Sequence, residues 1–156
     1  MAKTEISTLG EFGLIKHLTK DFPTRQPSTQ KSVGDDAAVM NFGAQRTLIT
    51  TDLLLEGIHF NLEYAPLKHL GYKAAVVNFS DIYAMNATPT QITVSLGISK
   101  RFSVEDLEEL YAGIRLACEK YNVDLVGGDT SASMTGLTIS ITCLGTAYDS
   151  DIVYRD

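Results

Sequence analysis

The sequence predicts an α/β fold of the sandwich type, in which helices cover one face of a mixed, largely antiparallel sheet. Two long segments carry apolar residues at helical spacing, and four shorter ones are rich in β-branched and apolar residues. With a short helical segment near the N-terminus, the order is helix, strand, strand, helix, strand, helix, strand. At 156 residues the chain is long enough for one domain with a sizeable core, and we treat residues 1–156 as that domain.

The N-terminal third predicts one helix, one loop and one hairpin. In STLGEFGLIKHLTKDF (7–22), apolar residues recur every three positions, which favours a short helix. PTRQPSTQKS (23–32) contains two prolines among polar neighbours and is interpreted as an exposed, mobile loop. AAVMNF (37–42) and RTLITTD (46–52) are predicted strands, and the GAQ link between them suits a hairpin.

The rest of the chain predicts two long helices and two strands. LKHLGYKAAVVNFSDIYAM (67–85) is interpreted as one long, largely buried helix, and QITVSLGI (91–98) as the strand that follows it. SVEDLEELYAGIRLACEKY (103–121) is the clearest helix, because its first residues form a capping-box pattern. LTISITCLGTAY (137–148) alternates apolar and hydroxyl residues, so we expect a strand with one face in the core and the other against something less apolar.

This alternation leaves one face of the predicted sheet without a cover. The predicted helices pack on the opposite face, and the chain offers no further helix. Water or a partner sheet would both suit the hydroxyl-rich face. A homodimer is the simplest way to cover it.

Composition indicates a globular protein and argues against two classes of partner. The net charge of −6 and the lack of a Lys/Arg cluster argue against nucleic acid. The sequence contains no 18-residue apolar run that would predict a membrane span, and its N-terminus lacks a signal-peptide pattern. Cys118 and Cys143 are interpreted as buried free thiols rather than a disulfide, which favours a cytoplasmic location.

Acidic residues stand where several elements are predicted to begin or end. Asp35 and Asp36 precede the first strand, Asp52 follows the second, and Asp129 follows a Gly-Gly pair, so one sheet edge could gather them. Asp81 lies within an otherwise apolar helix, where an unpaired carboxylate is costly. Because few Lys or Arg residues are near, these four acidic sites, with the adjacent Asp35 and Asp36 counted as one, favour a divalent cation. Mg²⁺ fits best, since it prefers hard oxygen ligands and substrate phosphates.

Taken singly, most of these positions have a simpler interpretation. Asp35 and Asp36 fit a turn with a solvated neighbour, Asp52 fits a turn or a helix cap, and Asp129 fits a Gly-Gly-Asp turn. His59, close behind Asp52, suits a half-buried strand end as well as a ligand contact. The sequence has no zinc-like spacing of His and Cys, no Walker A pattern and no GxGxxG.

Four segments match the motifs of one enzyme family. They are GDDAAV (34–39), TTDLLLEGIHF (50–60), GYKAAVVNFSDIYAMNATP (71–89) and VGGDTSAS (126–133). These motifs resemble those of the thiamine-monophosphate kinases, within the aminoimidazole ribonucleotide synthetase-like superfamily, and the resemblance runs from about residue 10 to residue 155. The second and third motifs separate these kinases from the purine-synthesis, selenophosphate and hydrogenase-maturation branches.

The resemblance implies an activity and a set of site residues. The activity is ATP- and Mg²⁺-dependent phosphorylation of thiamine monophosphate to thiamine diphosphate. The implied Mg²⁺ ligands are Asp35, Asp36, Thr50, Thr51, Asp52, Asp81 and Asp129. His59 corresponds to a residue that contacts the thiamine phosphate, and the implied ATP contacts are Tyr111, Gly128, Asp129 and Arg155. No catalytic nucleophile is implied, because phosphoryl transfer depends on positioning and charge neutralisation.

The resemblance also implies a second domain and a dimer. The family's chains continue into a C-terminal α/β domain that closes the cleft, so this chain is expected to be the N-terminal half and to lack full activity alone. The family pairs two such N-terminal sheets into one barrel, which agrees with the uncovered face. Two alternatives stay open: another ATP-using member of the superfamily, or a non-catalytic dimerisation or ligand-binding module.

Overall fold

A computed structural model describes Gly13, Lys16, residues 26–32 and residues 34–155. The helix predicted over residues 7–22 lies outside the described residues, apart from those two positions.

Six described strands form one sheet in the order β1-β2-β3-β6-β4-β5. The strands are β1 (Thr29–Lys31), β2 (Ala38–Asn41), β3 (Arg46–Leu55), β4 (Thr88–Ile98), β5 (Asp124–Ala132) and β6 (Thr138–Ala147). The helices are α1 (Leu67–Ala84) and α2 (Val104–Tyr121), followed later by a 3₁₀ turn at Asp149–Asp151. β4 and β5 pair in parallel across α2, and the other described neighbours are antiparallel, which confirms the predicted mixed sheet.

Most predicted elements are confirmed, with shifts at their ends. The β2–β3 hairpin closes with Asn41 opposite Arg46. α1 covers almost the whole predicted segment, and α2 begins with the predicted capping box, because Asp106 N donates to Ser103 Oγ and Ser103 N donates to Asp106 Oδ2. β3 extends to Leu55 and β4 begins at Thr88, so both strands are longer than predicted.

Two strands are missing from the sequence-based prediction. β1 lies in the segment that was interpreted as a loop, and it pairs with β2 through Thr29 and Met40. β5 lies in the segment that was interpreted as a short apolar run followed by a turn. All nine residues of β5 are exposed, so the strand carries no burial pattern that a sequence could display.

The core lies between the sheet and α1. α1 packs against β3, β4 and β6, whereas α2 packs chiefly against α1. The helices meet at Gly71 of α1 and Gly113 of α2, where an added Cβ would collide with the backbone of the opposing helix at Leu110 and Lys68. Glycine is therefore required at both positions for this close contact.

The two faces of the sheet differ as predicted. Along β6, Ile139, Ile141 and Cys143 are buried under the helices, while the alternate hydroxyl residues are only partly buried. We call the side without helices the open face; Leu53 of β3, beside exposed Thr51, is 53% exposed. Both cysteines are buried free thiols, as expected. Within the described residues, neither helix is long and apolar enough to cross a membrane.

Candidate active site

Acidic side chains from three segments converge between β3 and α1. Asp81 of α1 is partly buried and accepts a 2.9 Å hydrogen bond from Thr50 Oγ1 of β3. Asp52 lies two residues after Thr50, on the same face of the strand. Burial raises the pKa of Asp81, and the negative charges of Asp52 and Asp36 raise it further, against the Thr50 hydrogen bond and the charge of Arg155. We call Asp36, Asp52 and Asp81 the acidic cluster.

Asn78 fixes the backbone of this cluster, a role that the sequence analysis missed. Its side chain is completely buried, and Oδ1 accepts a 3.0 Å hydrogen bond from Asp52 N. Its Nδ2 donates a 3.0 Å hydrogen bond to Ala74 O in the same helix. The signal available in the sequence was an amide residue among apolar neighbours, because a buried amide must find hydrogen-bond partners.

Arg155 and Lys31 offset the charges of the adjacent Asp35 and Asp36. The Asp35 side chain is fully buried, accepts a 3.1 Å hydrogen bond from Arg155 N, and lies 3.6 Å from Lys31 Nζ. The Asp36 carboxylate pairs with the Arg155 guanidinium. The 2.9 Å hydrogen bond from Asp36 N to Asp35 Oδ1 closes the turn between them. Asp35 therefore holds the loop, whereas Asp36 belongs to the acidic cluster.

The chain's last described residues bring Arg155 to this place. Val153 N donates to Met85 O over 3.2 Å, and Asn86 Nδ2 donates to Asp151 O over 2.8 Å. Both contacts join the end of α1 to the segment after β6. A position so far along the chain from Asp36 carries no sequence signal for this pairing.

His59 lies in the turn after β3 and borders a pocket of about 190 Å³. The lining residues are Asp52, Leu53, Leu54, His59, Lys73 and Val77. Leu55 N donates a 3.0 Å hydrogen bond to His59 Nδ1, so the neutral imidazole carries its proton on Nε2. Burial raises the pKa of Asp52, while the nearby His59 lowers it. His59 is exposed rather than half-buried at the strand end.

Glu56 holds the His59 turn to two other loops. Its Oε2 accepts a 2.8 Å hydrogen bond from Leu137 N at the start of β6, and its Oε1 pairs with Arg101 in the loop before α2. Within the turn, Gly57 has a φ of +79° and donates through N to Phe60 O over 2.8 Å. One carboxylate thus positions the turn that carries His59.

Three of the residues assigned to ATP lie together, away from the acidic cluster. Tyr111, Gly128 and Asp129 line an open groove at the β5 edge, and an added Cβ at Gly128 would collide with the backbone of Val94. The fourth, Arg155, lies with the acidic cluster instead.

The expectation that one sheet edge gathers the acids is therefore wrong for Asp129. In the register of the sheet, Asp52 of β3 is opposite Ile141 of β6, and Ile141 is opposite Val94 of β4. Val94 is in turn opposite Gly128 of β5, so three strand spacings separate β3 from β5. At about 4.8 Å per strand, β5 lies roughly 14 Å from β3. Asp52 and Asp129 also lie within strands rather than at their ends, because β3 extends further than predicted and β5 was not predicted.

Thr50 and Thr51 belong to opposite faces of β3. Thr50 is buried beside Asp81, whereas Thr51 Oγ1 donates to Ile141 O over 3.1 Å and accepts from Thr142 Oγ1 on the open face. The register of β4 and β5 pairs Asp129 with Ser95, which also belongs to the open face. The predicted ligands thus divide into a group under the helices and a group on the open face.

The donor atoms of the acidic cluster fit a hard divalent cation. Three carboxylates and the Thr50 hydroxyl supply only oxygen, which suits Mg²⁺ better than zinc. Among the described residues, no three Asp, Glu, His or Cys side chains already stand at ligand spacing. The side chains would therefore have to shift to enclose an ion, and Arg155 now pairs with Asp36.

Comparison with known proteins gives a family and a set of relatives. The family model for AIR synthase related protein, N-terminal domain, matches residues 34–147. The thiamine-monophosphate kinase of Synechococcus elongatus is 35% identical over 156 residues, covering 99% of this chain and 46% of that protein. The thiamine-monophosphate kinase of Aquifex aeolicus is 38% identical over 128 residues, covering 82% of this chain and 40% of that protein. The chain thus spans about half the length of the curated relatives it matches.

Solved structures agree with the fold. The structure described as AaThiL complexed with AMPPCP and TMP aligns with a TM-score of 0.87 and 35% identity, over 100% of this chain and 47% of that one. The structure of tt0281 from Thermus thermophilus aligns with a TM-score of 0.82 over 97% of this chain and 48% of that one. At 22% identity, that second likeness concerns the fold alone. By the family match over most of its length, this chain belongs to the AIR synthase related proteins and contains their N-terminal domain.

Proposed function

We propose that this chain is the N-terminal, metal-binding half of a thiamine-monophosphate kinase. The reaction is transfer of the γ-phosphoryl group of ATP to thiamine monophosphate, which yields thiamine diphosphate and ADP. The observation that carries the proposal is the convergence of Asp36, Asp52 and Asp81, in a chain 35% identical to such a kinase over 99% of its length. A relative's structure with AMPPCP and TMP supports the two substrates.

The geometry supports phosphoryl transfer because one residue belongs to both parts of the site. Asp52 is a member of the acidic cluster and also lines the His59 pocket. A phosphate in the pocket would therefore lie beside the carboxylates that hold Mg²⁺. Bound Mg²⁺ supplies neutralisation of phosphate charge, while the protein's own groups hold the two substrates in line.

Within this proposal the residues have separate tasks. Asp36, Asp52, Asp81 and Thr50 hold metal, and Asp35 supports Asp36 by fixing the turn. His59 contacts the acceptor substrate. The groove at Tyr111, Gly128 and Asp129 receives part of ATP, where Gly128 allows close approach to the backbone. Arg155, now paired with Asp36, is placed to exchange a carboxylate for a phosphate oxygen.

A homodimer through the open face completes the proposal. The open face carries exposed Leu53 beside hydroxyl residues, and it includes Thr51 and the register position of Asp129. Thr51 and Asp129, which are the two other implied metal ligands, would then lie at the dimer interface, in a barrel made of two sheets. In this proposal the chain is one domain of a longer enzyme. Its buried free thiols support a cytoplasmic location.

The test is ADP release by the intact enzyme that carries this domain, with thiamine monophosphate, ATP and Mg²⁺. We expect release that requires both the metal and the acceptor phosphate, so thiamine serves as the control substrate. Formation of thiamine diphosphate identifies the product. Turnover of a formylglycinamidine ribotide without turnover of thiamine monophosphate would overturn the proposal in favour of the purine-synthesis branch.

A further inference from the structure

We propose that Lys73 acts with His59 as an anion-binding pair that holds the phosphate group of the acceptor substrate. Lys73 lies within the third motif, but the sequence analysis assigned no ligand to it. The identity of the acceptor rests on the proposed function, whereas the phosphate-binding pair rests on the geometry of the pocket.

Lys73 lies on the face of α1 that leads to the acidic cluster. Residues 73, 77 and 81 follow one another at intervals of four, so they lie along one side of the helix. Lys73 and Val77 line the pocket with Asp52, and Asp81 is about 12 Å further along the helix axis than Lys73. A phosphate beside Lys73 would thus lie at the outer end of the site, with the acidic cluster at the inner end.

The charge of Lys73 has no carboxylate partner in the described part of the chain. Its Nζ donates a 3.1 Å hydrogen bond to His59 O, and none of the ion pairs between described residues includes it. An ammonium group has three N–H donors, and this hydrogen bond uses one. The carbonyl therefore holds the ammonium at the pocket and leaves two donors for a ligand.

His59 supplies a second donor at the same pocket. Because Leu55 N donates to His59 Nδ1, the neutral ring has its N–H at Nε2. An imidazole N–H and an ammonium at one pocket are two hydrogen-bond donors, which suits the oxygen atoms of a phosphate monoester.

The size and the acidic wall of the pocket define its ligand further. At about 190 Å³, the pocket is below the range of roughly 300–1,000 Å³ that whole drug-sized ligands occupy, so it suits a head group. The Asp52 carboxylate in its wall repels an anion, and a cation at the acidic cluster offsets that repulsion. We therefore expect phosphate monoesters to bind more tightly when Mg²⁺ is present.

The experiment measures binding by calorimetry without ATP, in the intact enzyme with Mg²⁺, using thiamine monophosphate, inorganic phosphate and thiamine. Lys73→Met removes the charge, Lys73→Arg retains it, and Lys68→Met is the matched control on an exposed position of the same helix. We expect Lys73→Met to weaken thiamine monophosphate and phosphate binding by about 10- to 100-fold, as for loss of a hydrogen bond between charged groups. Thiamine binding should stay unchanged, Lys73→Arg should recover part of the loss, and Lys68→Met should bind like the wild type.

The outcomes separate this inference from the proposed function. Unchanged phosphate affinity in Lys73→Met would overturn the inference even where the wild type phosphorylates thiamine monophosphate. Conversely, a wild type that binds phosphate through Lys73 without turning over thiamine monophosphate supports the anion-binding pair and removes the kinase assignment. A steady-state readout adds a further check, since Lys73→Met should raise KM for thiamine monophosphate more than it lowers kcat.

Discussion

Thr50 Oγ1 donates a 2.9 Å hydrogen bond to Asp81, and this bond joins the central strand β3 to α1 at the acidic cluster. The bond stabilises a carboxylate that its other neighbours disfavour, because burial and the charges of Asp52 and Asp36 raise the pKa of Asp81. The fold therefore places this carboxyl group where its negative charge lowers stability. A bound cation would reverse the sign of this effect.

Asp81→Asn is expected to stabilise the metal-free protein at neutral pH. A folded pKa above the ordinary value of 3.8 gives stability below pH 3.8, and that stability is lost as the pH rises through the folded pKa. Asparagine keeps an acceptor for Thr50 and removes the charge. Thermal unfolding at pH 7 in EDTA should thus show a higher Tm for the variant.

With Mg²⁺ the order is expected to reverse. At a hundred-fold excess over its Kd, a ligand adds about 2.7 kcal/mol, which corresponds to a rise in Tm of roughly 5–10 °C for a domain of this size. The wild type should gain this rise, and Asp81→Asn should lose most of it. An equal gain in both proteins would argue against Asp81 as a ligand.

Asn78→Leu is expected to destabilise the protein, in contrast to Asp81→Asn on the same helix. Leucine leaves Asp52 N without its 3.0 Å partner in a buried environment, which costs about 1–3 kcal/mol. Urea unfolding at pH 7 measures the loss. Since Asp52 also loses its backbone support, Mg²⁺ should stabilise Asn78→Leu less than the wild type. A neutral effect on both quantities would show that Asn78 is only a packing residue.

The sequence predicted the elements whose burial follows a period. α1, α2, β4 and β6 each bury one face, and this burial leaves an apolar pattern in the chain. β5 is exposed along its whole length and contains Gly127 and Gly128, so its strand conformation depends on pairing with β4. A prediction from local pattern could not include a strand that only its neighbour specifies.

The candidate site likewise contains some residues that the sequence indicates and others whose roles only the folded structure shows. Asp81 was recognisable because a carboxylate interrupts an apolar helix, and Asp52 was recognisable because it follows a predicted strand. The roles of Asn78, Lys73 and Arg155 depend on distant backbone atoms and charges, which only the folded chain brings near. The separation of Asp129 from Asp52 likewise follows from strand order, which no local motif contains.

Cys143 lies beneath the acidic cluster, opposite Thr50 in the pairing of β3 with β6. The residue is fully buried, and burial raises the pKa of its thiol to about 12, with smaller contributions from Cys118 and Asp81. A thiol in this setting stays protonated in the folded protein at a pH where it ionises in the unfolded chain. Stability must therefore depend on alkaline pH through this group.

Alkaline pH is expected to destabilise the wild type more than Cys143→Ala. A folded pKa above the ordinary value of 9.0 gives stability that is complete below pH 9.0 and is lost as the pH rises towards about 12. At pH 10.5 the loss is on the order of 2 kcal/mol, from about 1.4 kcal/mol per pH unit. Urea unfolding at pH 8 and pH 10.5 measures this loss of stability in both proteins, and Cys118 and the tyrosines contribute equally in the two.

Cys143→Ala should be less stable than the wild type at pH 8, because the substitution leaves a small cavity, but its loss of stability between the two pH values should be smaller. Equal losses would mean that the Cys143 thiol ionises in the folded state as readily as in the unfolded chain.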